Sequence, residues 1–410
     1  MNALLVATMH ACFLATHALR EAWQRNLLLL LALSSAIALP LATRATVRAA
    51  TQELNARAQS TPLLLGAANS DFDLVFSALW FSPSPNAPTS GTMADLGLVE
   101  VDNLARAIPL VLGTTARGTP VVGTSLDYFD YRALDLAEGR QFAVVGQCVV
   151  GSRAARTLGL RLGDTIFTDP GALTDLAGVF PIELSVSGIL APQGTPDDAA
   201  IFVDTATAWT IRGIGHFHVA PQEVEQTSGA ILGTKPDGTR ILGEALRVDN
   251  EPTAAVAKDF HFHGDLRAAP MSAALVIPTN AKSQAILLGR FDDARSADAS
   301  GARPRLIQPL EVSDRVSERI FAVEKLLDAV AAAALLGTLA VVALAFLLGI
   351  KLRAEELRVM ERMGASRSRI ALFLCTEAVM VLALATAVAA AISSFASEGA
   401  GALVAWIVSG

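Results

Sequence analysis

The sequence predicts a membrane protein in which α-helical transmembrane spans flank a large α+β domain outside the cytoplasm. Of its 410 residues, 52% are hydrophobic and only 17% are charged, whereas soluble domains carry about 25% charged residues. The apolar residues are concentrated in long runs near the two ends of the chain. Between these runs, Gly, Pro, Asp and Thr separate short β-branched stretches, which is typical of an α+β domain.

The apolar runs at residues 27–43, 329–350 and 371–393 contain a single charged residue, Glu377. A helix needs about 20 apolar residues to cross about 30 Å of hydrocarbon, and only a helix satisfies its own backbone groups there. We therefore expect transmembrane helices at residues 26–45, 326–350 and 371–393. The alternative for the first run is a cleaved signal peptide with small residues at Ala42 and Ala45, although about 25 residues precede the run where a short basic region is usual.

The loop at residues 351–370 fixes the predicted orientation, because it carries six Lys and Arg side chains against three Glu. Such an excess marks the cytoplasmic side. The chain is then a multi-pass protein of the cell inner membrane, with residues 46–325 extracytoplasmic and residues 1–25 forming a cytoplasmic or interfacial helix. Arg44 and Arg48, just after the first span, disagree with this orientation. Residues 394–410 are too short to cross, and we expect a truncated fourth span or a re-entrant segment there.

Within the extracytoplasmic residues, the pattern predicts two helical stalks that continue the first two spans, at residues 46–60 and 312–327. Strands are predicted at residues 142–150, 182–190, 200–203 and 273–277. Residues 149–164 have the pattern of a strand, a short helix and a tight turn into another strand.

The composition and the missing motifs exclude several classes of function. The net charge of −7 argues against a nucleic-acid partner, which requires a basic face. The three cysteines lie far apart and predict neither a disulfide framework nor a thiolate zinc site. The sequence lacks the GxxxxGK[ST], HExxH and GxSxG motifs. We therefore expect a chain that is not an enzyme and that binds no cofactor itself, apart from the metal considered below.

The cytoplasmic loop has the pattern of a short helix that stops at Gly364, followed by a second helix that Ser366 can cap. Leu357, Met360 and Met363 share one face of the short helix, with charges on the other faces. A basic loop of this kind can simply bind anionic headgroups. Met and Leu exposed among charges are, however, suited to docking into a partner's groove.

The carboxylate of Glu377 lies about two turns into the third span. A carboxylate inside a span is functional by default. We favour a structural ion pair with Arg367 or Arg369 at the cytoplasmic interface over a proton relay.

Four of the six histidines form two His-Phe-His triplets, which contain His216 and His218, and His261 and His263. In a strand, residues i and i+2 share a face. If the two strands pair, four imidazoles converge near Asp265, and neutral imidazole binds Zn or Cu. The alternative is two unrelated surface strands whose phenylalanines pack inward.

The loop and the start of the third span fit the pattern R-x-x-E-…-G-A-S-R-x-x-I-…-E, through Arg353, Glu356, Gly364, Ala365, Ser366, Arg367, Ile370 and Glu377. In this the chain resembles the FtsX-like/MacB-like ABC transporter permeases. The sequences at Val149–Gly151, Leu158–Leu160 and Gly163–Asp164 are similar to those of the family's MacB-like periplasmic core domain. The family has four spans, and the fourth is about half the usual length here.

The resemblance implies a permease subunit, without its own ATPase, that transmits motion to its extracytoplasmic domain. Export or extraction of a lipoprotein, peptide or amphipathic compound would follow. The implied partners are a cytoplasmic ABC ATPase, a second permease copy, a periplasmic adaptor and membrane lipid. The residues expected to couple to the ATPase are Arg353, Glu356, Leu357, Met360, Met363, Gly364, Ala365, Ser366 and Arg367. The alternative is a membrane-anchored binding or sensing protein that responds to metal through its histidines.

Overall fold

The computed structural model describes residues 2–66, 70–82, 91–169, 181–216, 231–234, 240–242, 261–262, 265–297 and 304–409. The chain divides into two compact units. The helical unit comprises residues 1–54 and 314–407, and the sheet unit comprises residues 55–313 and 408–410.

The helices, in chain order, are α1 (Asn2–Glu21), α2 (Trp23–Gln59), α3 (Asp71–Trp80), α4 (Leu96–Glu100), α5 (Asp127–Arg132), α6 (Ser152–Leu158), α7 (Thr205–Ile211), α8 (Ala281–Ala297), α9 (Pro309–Leu352), α10 (Ala354–Arg362) and α11 (Arg367–Ser409). The strands are β1 (Leu63–Gly66), β2 (Gly91–Thr92), β3 (Ala105–Ala116), β4 (Thr119–Thr124), β5 (Leu136–Gly139), β6 (Gln147–Val150), β7 (Thr165–Phe167), β8 (Glu183–Leu190), β9 (Ile201–Asp204), β10 (Gly215–His216), β11 (Ile231–Thr234), β12 (Arg240–Leu242), β13 (His261–Phe262), β14 (Pro270–Met271), β15 (Ala273–Pro278) and β16 (Arg305–Ile307). Helices α2, α9 and α11 are long and apolar enough to cross a membrane.

Helices α2 and α9 are each continuous from the apolar run into the polar segment expected to form a stalk. Pro40 lies inside α2 without ending it. The prediction of helical stalks agrees with these helices, because neither junction contains a residue that stops a helix.

The C-terminal residues require a correction. Helix α11 runs without a break from Arg367 to Ser409. The prediction of a separate truncated span or re-entrant segment at residues 394–410 is therefore wrong. Residues 394–409 hold Glu398 and two glycines but no proline, and glycine lowers helix stability by only about 1 kcal/mol per residue.

A ten-stranded mixed sheet forms the body of the sheet unit, in the order β16-β1-β15-β3-β4-β9-β6-β8-β5, with β7 also paired to β8. The pairs β4–β9 and β6–β8 are parallel. Strand β3 joins two halves of this sheet, because residues 105–110 pair with β15 and residues 111–116 pair with β4. We call the strands on the β16 side the β15 half and those on the β5 side the β9 half.

The junction between the halves is irregular. The register of β3 against β4 shifts between Val111 and Thr114, where Gly113 has a φ of 96° that favours glycine. Each half buries its own hydrophobic cluster, one around Leu63 and Val276 and the other around Val150 and Val203. Burial of such a side chain contributes about 2 kcal/mol.

Several sequence predictions for this unit agree with the structure. Strands β8, β9 and β15 lie where strands were expected, and β6 occupies the last four residues of the predicted 142–150 strand. Residues 149–164 form the expected strand, helix and turn through β6, α6 and Gly159, which has a φ of 69°.

Candidate functional site

The predicted coupling loop forms a helix, a tight joint and a second helix start. Helix α10 ends at Arg362, and Gly364 follows with a φ of 95°. The Ala365 N–H donates to the Met360 carbonyl at 3.1 Å, which closes the joint. The Ser366 carbonyl accepts from the Arg369 and Ile370 N–H groups, while its hydroxyl lies 3.0 Å from that of Ser368. The predicted stop at Gly364 is confirmed.

The apolar residues of α10 do not form one outward stripe. Leu357 and Met360 are half-buried and line a cavity of about 290 Å³. Glu356 of α10 and Arg353, which precedes α10, also line it. The other lining residues belong to α1, α2, α9 and α11 and are Leu14, His17, Ala18, Glu21, Arg25, Phe346, Gly349, Ile350, Phe373, Leu374 and Glu377. Met363, in contrast, is 76% exposed, and Val359 is also exposed. The prediction that Leu357, Met360 and Met363 are displayed together is therefore wrong, because the first two pack against the chain's own helices.

A buried carboxylate contacts Arg353, the residue that precedes α10. Glu377 is only 2% exposed, and its Oε1 lies 2.8 Å from Arg25 Nη2 while its Oε2 lies 3.7 Å from Arg353 Nη1. Arg25 also lies over the ring of Phe346, 5.8 Å from its centroid. Gly349 lies directly beside the Arg25 guanidinium, and a Cβ atom at this position would make the arginine side chain shift. One carboxylate thus ties α2, α9 and α11 together beside α10.

The structural ion pair expected for Glu377 is present, but its predicted partners are wrong. Arg367 pairs with Glu361 at 3.2 Å and is 93% exposed. Glu377 lies ten residues further along the same helix, which corresponds to a rise of about 15 Å. The sequence could not show that Arg25, more than 300 residues away, lies beside Glu377.

A second ionic contact joins α2 and α9 at the other end of their apolar runs. Arg44 donates from Nε and Nη2 to the Asp328 carboxylate, at 3.0 and 2.8 Å. The helical rise from Arg25 to Arg44 is about 28 Å, close to the thickness of a hydrocarbon core. Arg44 had disagreed with the predicted orientation, and its charge is neutralised by Asp328.

His216 of the first triplet and His261 of the second lie on strands whose backbones pair. Strands β10 and β13 pair antiparallel, with His216 opposite His261 and Gly215 opposite Phe262. His218 and His263 lie outside the described residues. Where side chains are described, no group of three or more His, Cys, Asp or Glu residues comes together to hold a metal.

The structure combines helices that are long and apolar enough to span a membrane with an α+β sheet body. A family model described as the MacB-like periplasmic core domain matches residues 27–247, which is more than half of the chain. The chain therefore belongs to this family, that of the MacB/FtsX-like ABC-transporter-type permeases.

Two solved structures are similar to the chain. The periplasmic region of MacB from Actinobacillus actinomycetemcomitans is 10% identical, with a TM-score of 0.34 over 63% of this chain and 94% of that chain. The extracellular domain of the noncanonic ABC-type transporter YknZ from Gram-positive bacteria is 16% identical, with a TM-score of 0.32 over 60% of this chain and 99% of that chain. The comparison with curated proteins gives no match. The assignment rests on the family model and not on these two structures.

Sequence reasoning missed three of the ionic contacts: Arg25–Glu377, Arg44–Asp328 and Arg57–Asp197, the last of which lies in the sheet unit. A signal existed for the first two, because Arg25, Arg44 and Asp328 border the apolar runs where a charge needs a partner. Arg57 lies in a polar helical segment, and nothing in its neighbourhood marks it.

Proposed function

We propose that the chain is the permease subunit of an ABC transporter and that a separate cytoplasmic ATPase drives it by binding at α10. The observation that carries this proposal is the arrangement of α10 itself. Val359 in α10 and Met363 directly after it are exposed apolar residues, four positions apart, on one side of the helix. Leu357 and Met360 of α10 face the neighbouring helices across the cavity. Arg353, which precedes α10, contacts Glu377 of α11.

This arrangement suits the transfer of force. A partner that binds at Val359 and Met363 applies force to α10. The short joint at Gly364 connects α10 to α11, so displacement of α10 is passed to α11. Arg353 and Arg25 pass the displacement through Glu377 to α2 and α11. Helices α2 and α9 continue unbroken into the sheet unit, so movement in the membrane can reach the extracytoplasmic domain without a flexible linker.

The remaining parts of the proposal concern topology and cargo. The loop at residues 351–370 lies in the cytoplasm, the chain crosses the inner membrane several times, and two copies work with two ATPase subunits. A lipoprotein, a peptide or an amphipathic compound is exported or extracted outside the cytoplasm, with a periplasmic adaptor as a further partner. Glu356, Ala365, Ser366 and Arg367 complete the contact with the ATPase.

Co-purification of the full chain with a Walker-motif ATPase tests the proposal. We expect Val359→Asp and Met363→Asp each to abolish binding, because a charge at a docking face must be desolvated. Leu98→Asp is the matched control, since Leu98 in α4 is as exposed as Val359. ATPase binding that survives both α10 substitutions would overturn the proposal.

A second candidate function, metal binding or sensing, is favoured by the pairing of β10 with β13. Directly opposed residues of an antiparallel pair have Cβ atoms about 5 Å apart, which suits two imidazoles sharing one Zn or Cu ion. We propose that His216 and His261 begin such a site, with His218 and His263 as further ligands. Metal analysis of the purified full chain after Zn²⁺ loading tests this, with His10→Ala as the control. Equal zinc content in wild type and His216→Ala/His261→Ala would exclude the site.

A further inference from the structure

The last turn of α2 is anchored in the sheet unit by one buried arginine. Arg57 is 7% exposed, and its Nη1 and Nη2 donate to the two oxygens of Asp197 at 2.7 and 2.9 Å. Nη2 also donates to the Tyr128 hydroxyl at 3.0 Å, and Nε to the Leu79 carbonyl at 3.3 Å. A single side chain therefore joins α2 to α3, to α5 and to the turn that precedes β9.

The acidic partner is itself held in place. The Tyr128 hydroxyl donates to Asp197 Oδ1 at 2.6 Å, and the Thr195 hydroxyl donates to Oδ2 at 3.1 Å. Burial by itself would raise the pKa of Asp197, but the Arg57 charge and the hydrogen bonds from Arg57 and Tyr128 hold it below its usual value. The carboxylate is therefore ionised at neutral pH.

Helix α2 is connected covalently to one half of the sheet, whereas the Arg57–Asp197 ion pair connects it to the other half. A short turn leads from α2 into β1, and α9 begins just after β16, so the covalent path enters and leaves through the β15 half. Asp197 instead lies just before β9, which sits between β4 and β6 in the β9 half. The Arg57–Asp197 pair is thus a second attachment of the same helix, on the far side of the irregular β3 junction.

Contacts around the end of α2 fix its direction. The Tyr131 hydroxyl donates to the Ser60 carbonyl at 2.7 Å, and Arg132 donates to the hydroxyls of Ser60 and Thr61, each at 2.7 Å. The Ser313 hydroxyl donates to Asn55 Oδ1 at 2.6 Å, which ties α2 to the start of α9. These contacts hold Asn55 against the start of α9 and hold the two residues that follow α2 against α5, whereas Arg57 holds the last turn of α2 against the turn before β9.

We propose that Arg57 is a positioning residue that fastens α2 to the β9 half, so that a shift of α2 moves both halves of the sheet unit together. The ATP-driven source of that shift rests on the proposed function, whereas the attachment itself does not. A buried ion pair is a poor source of stability compared with apolar packing. Its value here is a fixed geometry between a helix and a distant strand.

Distance measurements between spin labels on the full chain test the inference. The labels are placed through Ala56→Cys on α2, with Thr157→Cys on α6 in the β9 half or Lys282→Cys on α8 beside the β15 half, after Cys12→Ser and Cys375→Ser. The test variant is Arg57→Met/Asp197→Leu, because an apolar pair of similar volume preserves folding. Arg106→Met is the control, since its 3.6 Å pair with Asp127 is exposed.

We expect the test variant to lose the single narrow 56–157 distance peak while the 56–282 peak and the Tm stay as in wild type. In the complex with the ATPase, ATP should leave the 56–157 distance of wild type unchanged, because α2 and the β9 half move together, and should change the mean 56–157 distance in the test variant. A narrow 56–157 peak in the test variant would overturn the inference. A broadened peak in the variant whose mean distance does not respond to ATP in the complex with the ATPase would uphold the attachment and contradict the proposed function.

Discussion

Glu377 contacts two arginines that come from opposite ends of the chain. Arg25 precedes the first apolar run and Arg353 follows the second, and both contact the same buried carboxylate. The cost of leaving a buried charge without its partner exceeds the benefit of any exposed pair. We therefore expect buried ionic contacts to affect the free energy of unfolding more than exposed ones when one partner is removed.

Substitution Glu377→Gln removes the charge while keeping the side-chain shape. We expect it to destabilise the full chain in detergent by about 2 kcal/mol, because two guanidinium groups lose their counter-ion. Arg367→Gln breaks only the exposed pair with Glu361 and should cost less than about 0.5 kcal/mol. Thermal unfolding measures both, and equal effects would contradict the importance assigned to Glu377.

The lowered pKa of Asp197 makes the free energy of unfolding depend on pH. Its folded-state pKa is lowered despite burial, mainly by Arg57 and Tyr128, so its contribution to stability is complete above the unfolded value of about 4 and is lost as pH falls through the folded pKa. We expect the difference in unfolding free energy between wild type and Asp197→Asn to be largest near neutral pH and to shrink below about pH 4. Denaturant titrations across this range measure it, and a difference that grows on acidification would refute the assignment.

At the scale of elements, α10 and its joint show how far sequence reasoning reaches. The stop at Gly364 followed from local chemistry, since a left-handed residue after a helix is usually glycine. The inward packing of Leu357 and Met360 did not follow, because a periodic face does not say which neighbour covers it. For the same reason, the sequence does not distinguish Arg57, which is buried in an ion pair, from the exposed arginines of other helices.

The joint can be tested with a matched pair of glycines. Gly364 has a φ of 95°, so Gly364→Ala should destabilise the chain by about 1 kcal/mol. Gly289 lies inside α8, where an added methyl group has open space, and Gly289→Ala should stabilise the chain by up to about 1 kcal/mol. Thermal unfolding of the two variants should therefore shift in opposite directions, and a neutral Gly364→Ala would show that the joint tolerates another conformation.

At the scale of the whole molecule, an ionic contact lies at each end of the apolar run of α2: Arg25 pairs with Glu377 of α11, and Arg44 pairs with Asp328 of α9. The two arginines are about 28 Å apart along the helix, close to the thickness of a hydrocarbon core. We propose that the Arg25 end faces the cytoplasm, because the loop at residues 351–370 carries an excess of positive charge. The sheet unit then lies outside.

Thiol labelling tests this topology. Glu138→Cys on β5 and Arg362→Cys on α10 replace exposed residues, and the buried Cys148 thiol has its pKa raised to about 12 by burial and stays inert. With Cys12→Ser and Cys375→Ser, an impermeant maleimide should label the Glu138→Cys variant on intact inner membranes. The Arg362→Cys variant should react only after lysis, and the reverse pattern would invert the orientation.

The sequence by itself determined the apolar helices, the α+β character of the middle segment, the positions of several strands, the stop at Gly364 and the family. These features depend on local periodicity, turn chemistry and composition, which neighbouring residues encode. Only the tertiary structure decided the partners of Glu377, Arg44 and Arg57, the inward packing of Leu357 and Met360, the continuous course of α11 and the register of His216 against His261. Contacts between distant residues depend on how elements pack, and no local pattern records which charge or side chain will be brought alongside.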